Sequence, residues 1–421
     1  MIATETSSRG RSNPSRLLGF LLLWGQLVAL LVVVRLYRVD SPLLEWLLMI
    51  CLAGGAIHYW LPARHRHLFA VVYGLFGYVL LLGLPVTVLV GLAGLLFFGL
   101  VRSPMPWWSR IGAIALVGIA FTVGRTTGAP GIPDVFWPVL GSVFMFRLIV
   151  YLYDARHASS SPRLLDFLGY FFLLPNACFL LFPVVDHATF LGCRDRRPLD
   201  EVVQTGIRWI GRGVVQLVLY RFVDAYRPDP AVAGTVGAVA GYMVFTYLLY
   251  LRISGQFHIA IGLLHLFGYD LPETNRRYLL ASSVADFWRR INIYWKDFIL
   301  KVFYLPVFFR LRSTGETKAA AIATAFAFLA TWLLHAWQSY WLLGSRSFTL
   351  TDTLFWGIFG GIMVYSAVQE TRRDGRPSPL TGVRRVLGIM RTFILIVVLW
   401  SLWQTSSLET WWSLVTLRGG S

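Results

Sequence analysis

The chain has 421 residues, 56% of them hydrophobic and only 14% charged, with 17 Trp and 30 Phe. A soluble domain of that length needs far more polar surface, so the composition excludes a water-soluble globule and points to a polytopic membrane protein. The formal charge of +17 is almost wholly arginine, since Lys296, Lys301 and Lys318 are the only lysines; this balance fits cytoplasmic loops and anionic lipid headgroups, and no basic tract is long enough for nucleic-acid binding.

In chain order, residues 1–16 form a polar tail with Arg9, Arg11 and Arg16 and are expected on the cytoplasmic side. Leu17 to Val34 is too long for a signal-peptide core, and no small-residue cleavage site precedes Arg35, so it reads as the first transmembrane helix. From residue 17 to 421 the chain reads as one multi-spanning membrane domain. Apolar segments of spanning length lie near 17–34, 42–60, 68–100, 109–123, 135–153, 164–185, 231–251, 319–343, 349–368 and 390–404. Gly83 and Pro85 predict that 68–100 divides in two. Val202 to Phe222, with Arg208, Arg212 and Arg221 among aliphatics, reads as an interfacial amphipathic helix. The expectation is all-α, with about ten to twelve transmembrane helices plus re-entrant and interfacial ones. Arginines at the N-terminus and in the loop 371–385 are the strongest inside signals. No inverted repeat and no fused soluble domain is visible. Cys51, Cys178 and Cys193 have no paired spacing and read as small apolar fillers.

Beyond Leu251 three segments differ from plain membrane helices. Between Gln256 and Gly268 about 13 residues give a helix of roughly 20 Å, too short to cross and therefore expected to be re-entrant. Ala285 to Tyr304, drawn as one helix, is two-faced: Asn292 shares a polar side with Arg289 and Lys296, and Trp288, Tyr294, Trp295 and Phe298 fall opposite. Ala319 to Leu343 is apolar except for His335, roughly 24 Å from one end and 12 Å from the other, inside the bilayer. An ionisable group at that depth is a functional candidate, because an unpaired polar side chain in hydrocarbon costs several kcal/mol.

Acyl transfer from a thioester to a hydroxyl needs a group that takes the hydroxyl proton, and imidazole suits that task near neutral pH. His335 is the candidate base. Asn292 cannot take a proton, but its amide can orient the imidazole, hold the acceptor hydroxyl or donate to the thioester carbonyl. Arg289, Arg290 and Lys296 suit donor phosphates. His258, Trp288, Trp295 and Gln338 are candidate cavity-lining residues. Competing readings stand beside these: a packing histidine bonded to a backbone carbonyl, a basic aromatic helix that only anchors in lipid, and a transporter or channel with a His/Arg-lined path. No HxxxH or HExxH spacing suggests a metal.

Three stretches, SGQFHIAIGLLHLFGYDLPE, YLLASSVADFWRRINIYWKDFILKVFYLP and LLHAWQSYWLLG, resemble the membrane-bound O-acyltransferase family over about 100 residues in the family's order. A fainter echo lies in RLLDFLGYFFLLPNACFLLFPVV. The resemblance implies a helical bundle around a funnel or tunnel, with residues 242–344 as catalytic core. It matches His335 to the family's central His and Asn292 to its second position. It implies an acyl-CoA or phosphopantetheine-linked donor used as a substrate, no permanently bound cofactor, and as partners a hydroxyl-bearing acceptor and the surrounding membrane lipids. In a bacterial inner membrane, an accessory envelope protein is a further expected partner. Polysaccharide-acylating bacterial members usually read WRRWHI where this chain reads WRRINI, GYSDIAIG where it reads GQFHIAIG, and carry a Gly pair where Val307 and Phe308 follow Pro306. Envelope glycan, lipid and exported small molecule therefore all stay open as acceptors.

Overall fold

The computed structural model describes residues 13–157, 163–181, 185–194, 196–229, 235–344, 348–372 and 381–417. The N-terminal tail up to residue 12 and most of the arginine-rich loop, 373–380, lie outside them. The described chain is all-α, and nine of its helical stretches are long and apolar enough to cross a membrane. Outward-facing apolar surface supports the same conclusion. Helix α5 buries only Ile114, a distribution that water would penalise and lipid accepts. The protein is an integral membrane protein.

The first six helices are α1 (Asn13–Leu36), α2 (Pro42–Trp60), α3 (Ala63–Leu82), α4 (Leu84–Arg102), α5 (Trp107–Thr127) and α6 (Phe136–His157). The break expected in 68–100 occurs at Gly83, whose φ of 82° lies in the region glycine tolerates best, and each half is itself of spanning length. The segment 164–185 corrects the expectation of a span. It contains α7 (Leu164–Phe171) and a 3₁₀ turn at Leu174–Ala177, and α8 (His187–Gly192) follows it. The reason is a polar anchor: the fully buried Arg147 of α6 donates from Nη1 to the Phe171 carbonyl at 3.2 Å and stacks on Tyr170, while Asn176 Nδ2 donates to the same carbonyl at 3.1 Å. Pro175 then sits at the start of the turn, where a helix could not have passed through it.

Next come α9 (Leu199–Ala225), α10 (Val236–Leu248) and α11 (Tyr250–His265). The short re-entrant helix expected at 256–268 is instead the second half of a stretch bent near Leu249, and Val236–His265 together reach 30 residues. The amphipathic segment 202–222 is part of α9, which lies antiparallel along α11. A Cβ on Gly206 would meet the Gly262 carbonyl at 2.6 Å, and one on Gly213 would meet the Gly255 carbonyl at 2.6 Å. The two seven-residue glycine pairs let the backbones touch, as small residues do between membrane helices.

The remaining helices are α12 (Val284–Arg290), α13 (Ile293–Ile299), α14 (Leu305–Leu311), α15 (Glu316–Leu343), α16 (Leu350–Arg372), α17 (Gly382–Gln404) and α18 (Leu408–Val415). The single two-faced helix expected over 285–304 is corrected: it is broken between Arg290 and Ile293, and a π-helical turn over Leu300–Tyr304 separates α13 from α14. A wheel drawn through Asn292 therefore does not describe its surroundings.

Candidate active site

The site is built from the break that the sequence conceals. Ser283 starts α12 by accepting from the Asp286 N–H at 3.0 Å. The helix ends with Ile291 extended, and Asn292 turns the chain in the left-handed region, φ 38° and ψ 61°. Asparagine is among the few non-glycine residues that occupy this region readily. Its Oδ1 then accepts the Trp295 N–H at 3.3 Å and caps α13.

The turn is fixed from outside by residues 272–276. Asn275 Oδ1 accepts the Asn292 N–H at 2.8 Å and the Tyr250 hydroxyl at 3.2 Å. The Thr274 carbonyl accepts the Ile293 N–H at 2.7 Å, and the Pro272 carbonyl accepts the Tyr294 hydroxyl at 2.7 Å. Arg212 of α9 ties this loop down through Glu273 at 2.7 Å and the Asn275 carbonyl at 3.3 Å. Asn275 is buried and holds the turn, yet nothing in its sequence neighbourhood, LPETNRR, singles it out.

Asn292 and His335 line one cavity of about 600 Å³, within the roughly 300–1,000 Å³ usual for small-molecule sites. The His335 ring lies edge-on to Trp295 at 4.7 Å between centroids and packs on Trp356 at 4.8 Å, with Trp403 at 6.3 Å. Its Nδ1 stands 2.8 Å from the Thr331 carbonyl of its own helix. A carbonyl only accepts, so Nδ1 carries the proton and Nε2 keeps its lone pair. Among the described residues no group bonds that Nε2, and the part of the ring left accessible is cavity wall. Asn292 has spent its side-chain oxygen on the cap, which leaves its NH₂ as the group available to a ligand.

Trp288, Trp295 and Gln338 line the same cavity. His258 does not, which corrects its expected place. Phe257 faces the cavity, and His258 points into α9, stacked on Trp209 at 5.3 Å with Nδ1 2.7 Å from Gln216 Oε1. Arg289, Arg290 and Lys296 also lie outside the lining. Each has a carboxylate partner: Glu370 at 3.2 Å, Asp286 at 2.7 Å and Asp297 at 2.7 Å respectively.

One lining residue escaped the sequence reading altogether. Asp352, at the start of α16 and 8% exposed, accepts indole N–H groups from Trp332 at 2.6 Å and Trp403 at 2.8 Å. Trp356 lies beside the same carboxylate, without a hydrogen bond of good geometry. A polar residue opening an apolar helix looks like a cap, and its indole partners come from α15 and α17, so no local signal marked it.

The model of the membrane-bound O-acyltransferase family matches residues 117–399, two thirds of the chain, including both Asn292 and His335. The chain belongs to that family. Among its relatives, the probable alginate O-acetylase AlgI of Azotobacter vinelandii is 22% identical over 295 residues, covering 67% of this chain and 53% of the relative. The protein of the same name from Pseudomonas aeruginosa is 23% identical over 284 residues, covering 65% and 50%. The chain spans about half the length of the curated relatives it matches. In this O-acyltransferase family member, a histidine of fixed tautomer and an amide donor share a cavity. That arrangement can take a proton from a hydroxyl and stabilise negative charge on an oxygen.

Proposed function

We propose that the protein transfers an acyl group from a thioester donor to a hydroxyl, with His335 as general base and Asn292 as hydrogen-bond donor. The observation that carries this is the His335–Thr331 hydrogen bond, which leaves an unprotonated Nε2 in a cavity that Asn292 also lines. The acceptor oxygen attacks the thioester carbonyl while Nε2 removes its proton. The carbonyl oxygen, now negative, is met by the Asn292 NH₂. Collapse of the tetrahedral intermediate breaks the C–S bond, and the imidazolium returns its proton to the departing thiolate, so an ester and a free thiol result.

The acyl donor enters as a substrate, acyl-CoA or a phosphopantetheine-linked carrier, and the acceptor is an envelope glycan, a lipid or an exported small molecule. The relatives' names favour a glycan. We further place the protein in a bacterial inner membrane, with an accessory envelope protein as a partner in the transfer. Mass spectrometry of glycans, lipids and secreted metabolites from cells with and without the protein identifies acceptor and acyl group together. His335→Ala is expected to lower the rate about 10²- to 10⁴-fold with membrane insertion unchanged. Undiminished acylation by that variant overturns the reading.

A further inference from the structure

Among the described residues the Asp352 carboxylate is the one charged side chain that lines the cavity. Among the described residues it has no cationic partner, only two indole N–H donors. Holding a carboxylate in an aromatic box without a counter-ion is costly, and two neutral hydrogen bonds offset only part of that cost. Four lone-pair positions minus two indole bonds leave acceptor capacity unused. The purely structural alternative, a cap for α16, does not need this carboxylate, because the Asp352 N–H is already taken by Thr349 Oγ1 at 3.1 Å.

The surroundings say what would use that capacity. Trp403 bridges the two functional groups, bonding Asp352 through Nε1 and facing the His335 ring at 6.3 Å. Trp332, the other donor, lies three residues before His335 on α15. Flat indole faces, a carboxylate and the neutral polar side chains Gln338, Ser339 and Gln404 together form the wall near the imidazole. Indoles offer apolar planes to C–H faces, and a carboxylate accepts hydroxyl hydrogens in short, charge-assisted bonds. A hydroxylated ring satisfies both at once. A second negative charge brought to the same low-dielectric wall would instead be repelled.

Resting on the acyl-transfer reading, we propose that Asp352 is the acceptor-binding, specificity-determining residue. It takes a hydroxyl neighbouring the one that is acylated, and it selects a neutral sugar-like ring over a uronate.

The test compares methyl glucoside with methyl glucuronide, which differ at one carbon by a carboxylate. Binding to the purified full chain is followed by tryptophan fluorescence, and acyl transfer by product mass. Wild type is expected to favour the glucoside by about tenfold or more, because the glucuronide carboxylate is repelled by that of Asp352, and Asp352→Asn to bring the two probes within about twofold. In Asp352→Asn the acceptor KM rises and the donor KM stays. Equal binding of both probes by wild type, binding of neither, or a preference that survives in the variant overturns the proposal. The wild-type comparison decides even if the variant does not fold. Selective binding without acyl product leaves this site standing and removes the acyltransferase reading, whereas acyl product without selectivity does the reverse.

Discussion

His258 on α11 and His335 on α15 are both imidazoles in apolar helices, and both are held through Nδ1, by Gln216 at 2.7 Å and by the Thr331 carbonyl at 2.8 Å. They differ in what lies beyond the ring. His258 sits where α9 and α11 touch through glycines, away from the cavity that His335 lines, and its buried Nε2 has no hydrogen-bond partner among the described residues. His335 sits where residues of α13, α15, α16 and α17, tryptophans prominent among them, line a cavity of about 600 Å³. An imidazole of the same chemistry is therefore a packing group in one place and a candidate base in the other. The difference is what surrounds the ring: glycines bring α9 and α11 into contact beside His258, and indoles line an open cavity beside His335.

The comparison breaks most directly in a paired assay. His335→Ala should lose about two to four orders of magnitude in acyl transfer, while His258→Ala keeps transfer within about threefold and loses roughly 1–3 kcal/mol of stability from the orphaned Gln216. Comparable loss of activity in both would end the distinction. Next in size, Gly213→Val forces a Cβ to 2.6 Å from the Gly255 carbonyl and should cost about 1–3 kcal/mol or more, read as a lower melting temperature in detergent.

Asn292 sharpens the catalytic side of the contrast. Asn292→Gly keeps the left-handed turn and should fold with little change, yet lose transfer because no amide remains. Asn292→Ala should lose about 1–2 kcal/mol of stability besides, from its positive φ and missing cap. Restored activity in the glycine variant would make Asn292 a turn residue only.

A pH test addresses the packed side. Asp270, in the loop after α11, is held well below the usual carboxylate range by the His265 imidazole 3.6 Å away and by the Arg197 guanidinium. A depressed carboxyl contributes stability that is present above its unfolded value, near 4, and lost as pH falls toward its folded value. Melting curves should therefore drop below about pH 4 in wild type, and that drop should shrink in Asp270→Asn. An unchanged acid limb would remove Asp270 from the account.

The smallest effect is expected at Arg289. Its exposed pair with Glu370 is worth about 0–1 kcal/mol, and Arg289→Gln should barely move stability or donor KM. A tenfold rise in donor KM would instead make this arginine part of the phosphate site.

Membrane residence, the break at Gly83 and the place of His335 within a long apolar helix were legible because each follows from local content: apolar length, a glycine two residues before a proline, and one imidazole in an apolar run. The broken helix at Asn292 was not. Residues 285–304 have a good helical pattern, and the interruption is imposed by Asn275, 17 positions away, through one hydrogen bond to the Asn292 N–H. The span expected at 164–185 failed for the same kind of reason, since the buried Arg147 lies 24 positions from the carbonyl it holds.

By itself the sequence determined an all-α membrane protein and the residue types that its chemistry needs, because hydrophobic length and side-chain identity are one-dimensional properties. Only the tertiary structure decided which histidine faces open space. It also decided that Asp352 joins it, through indoles 20 and 51 positions away, because a cavity is a property of how helices fail to close on one another.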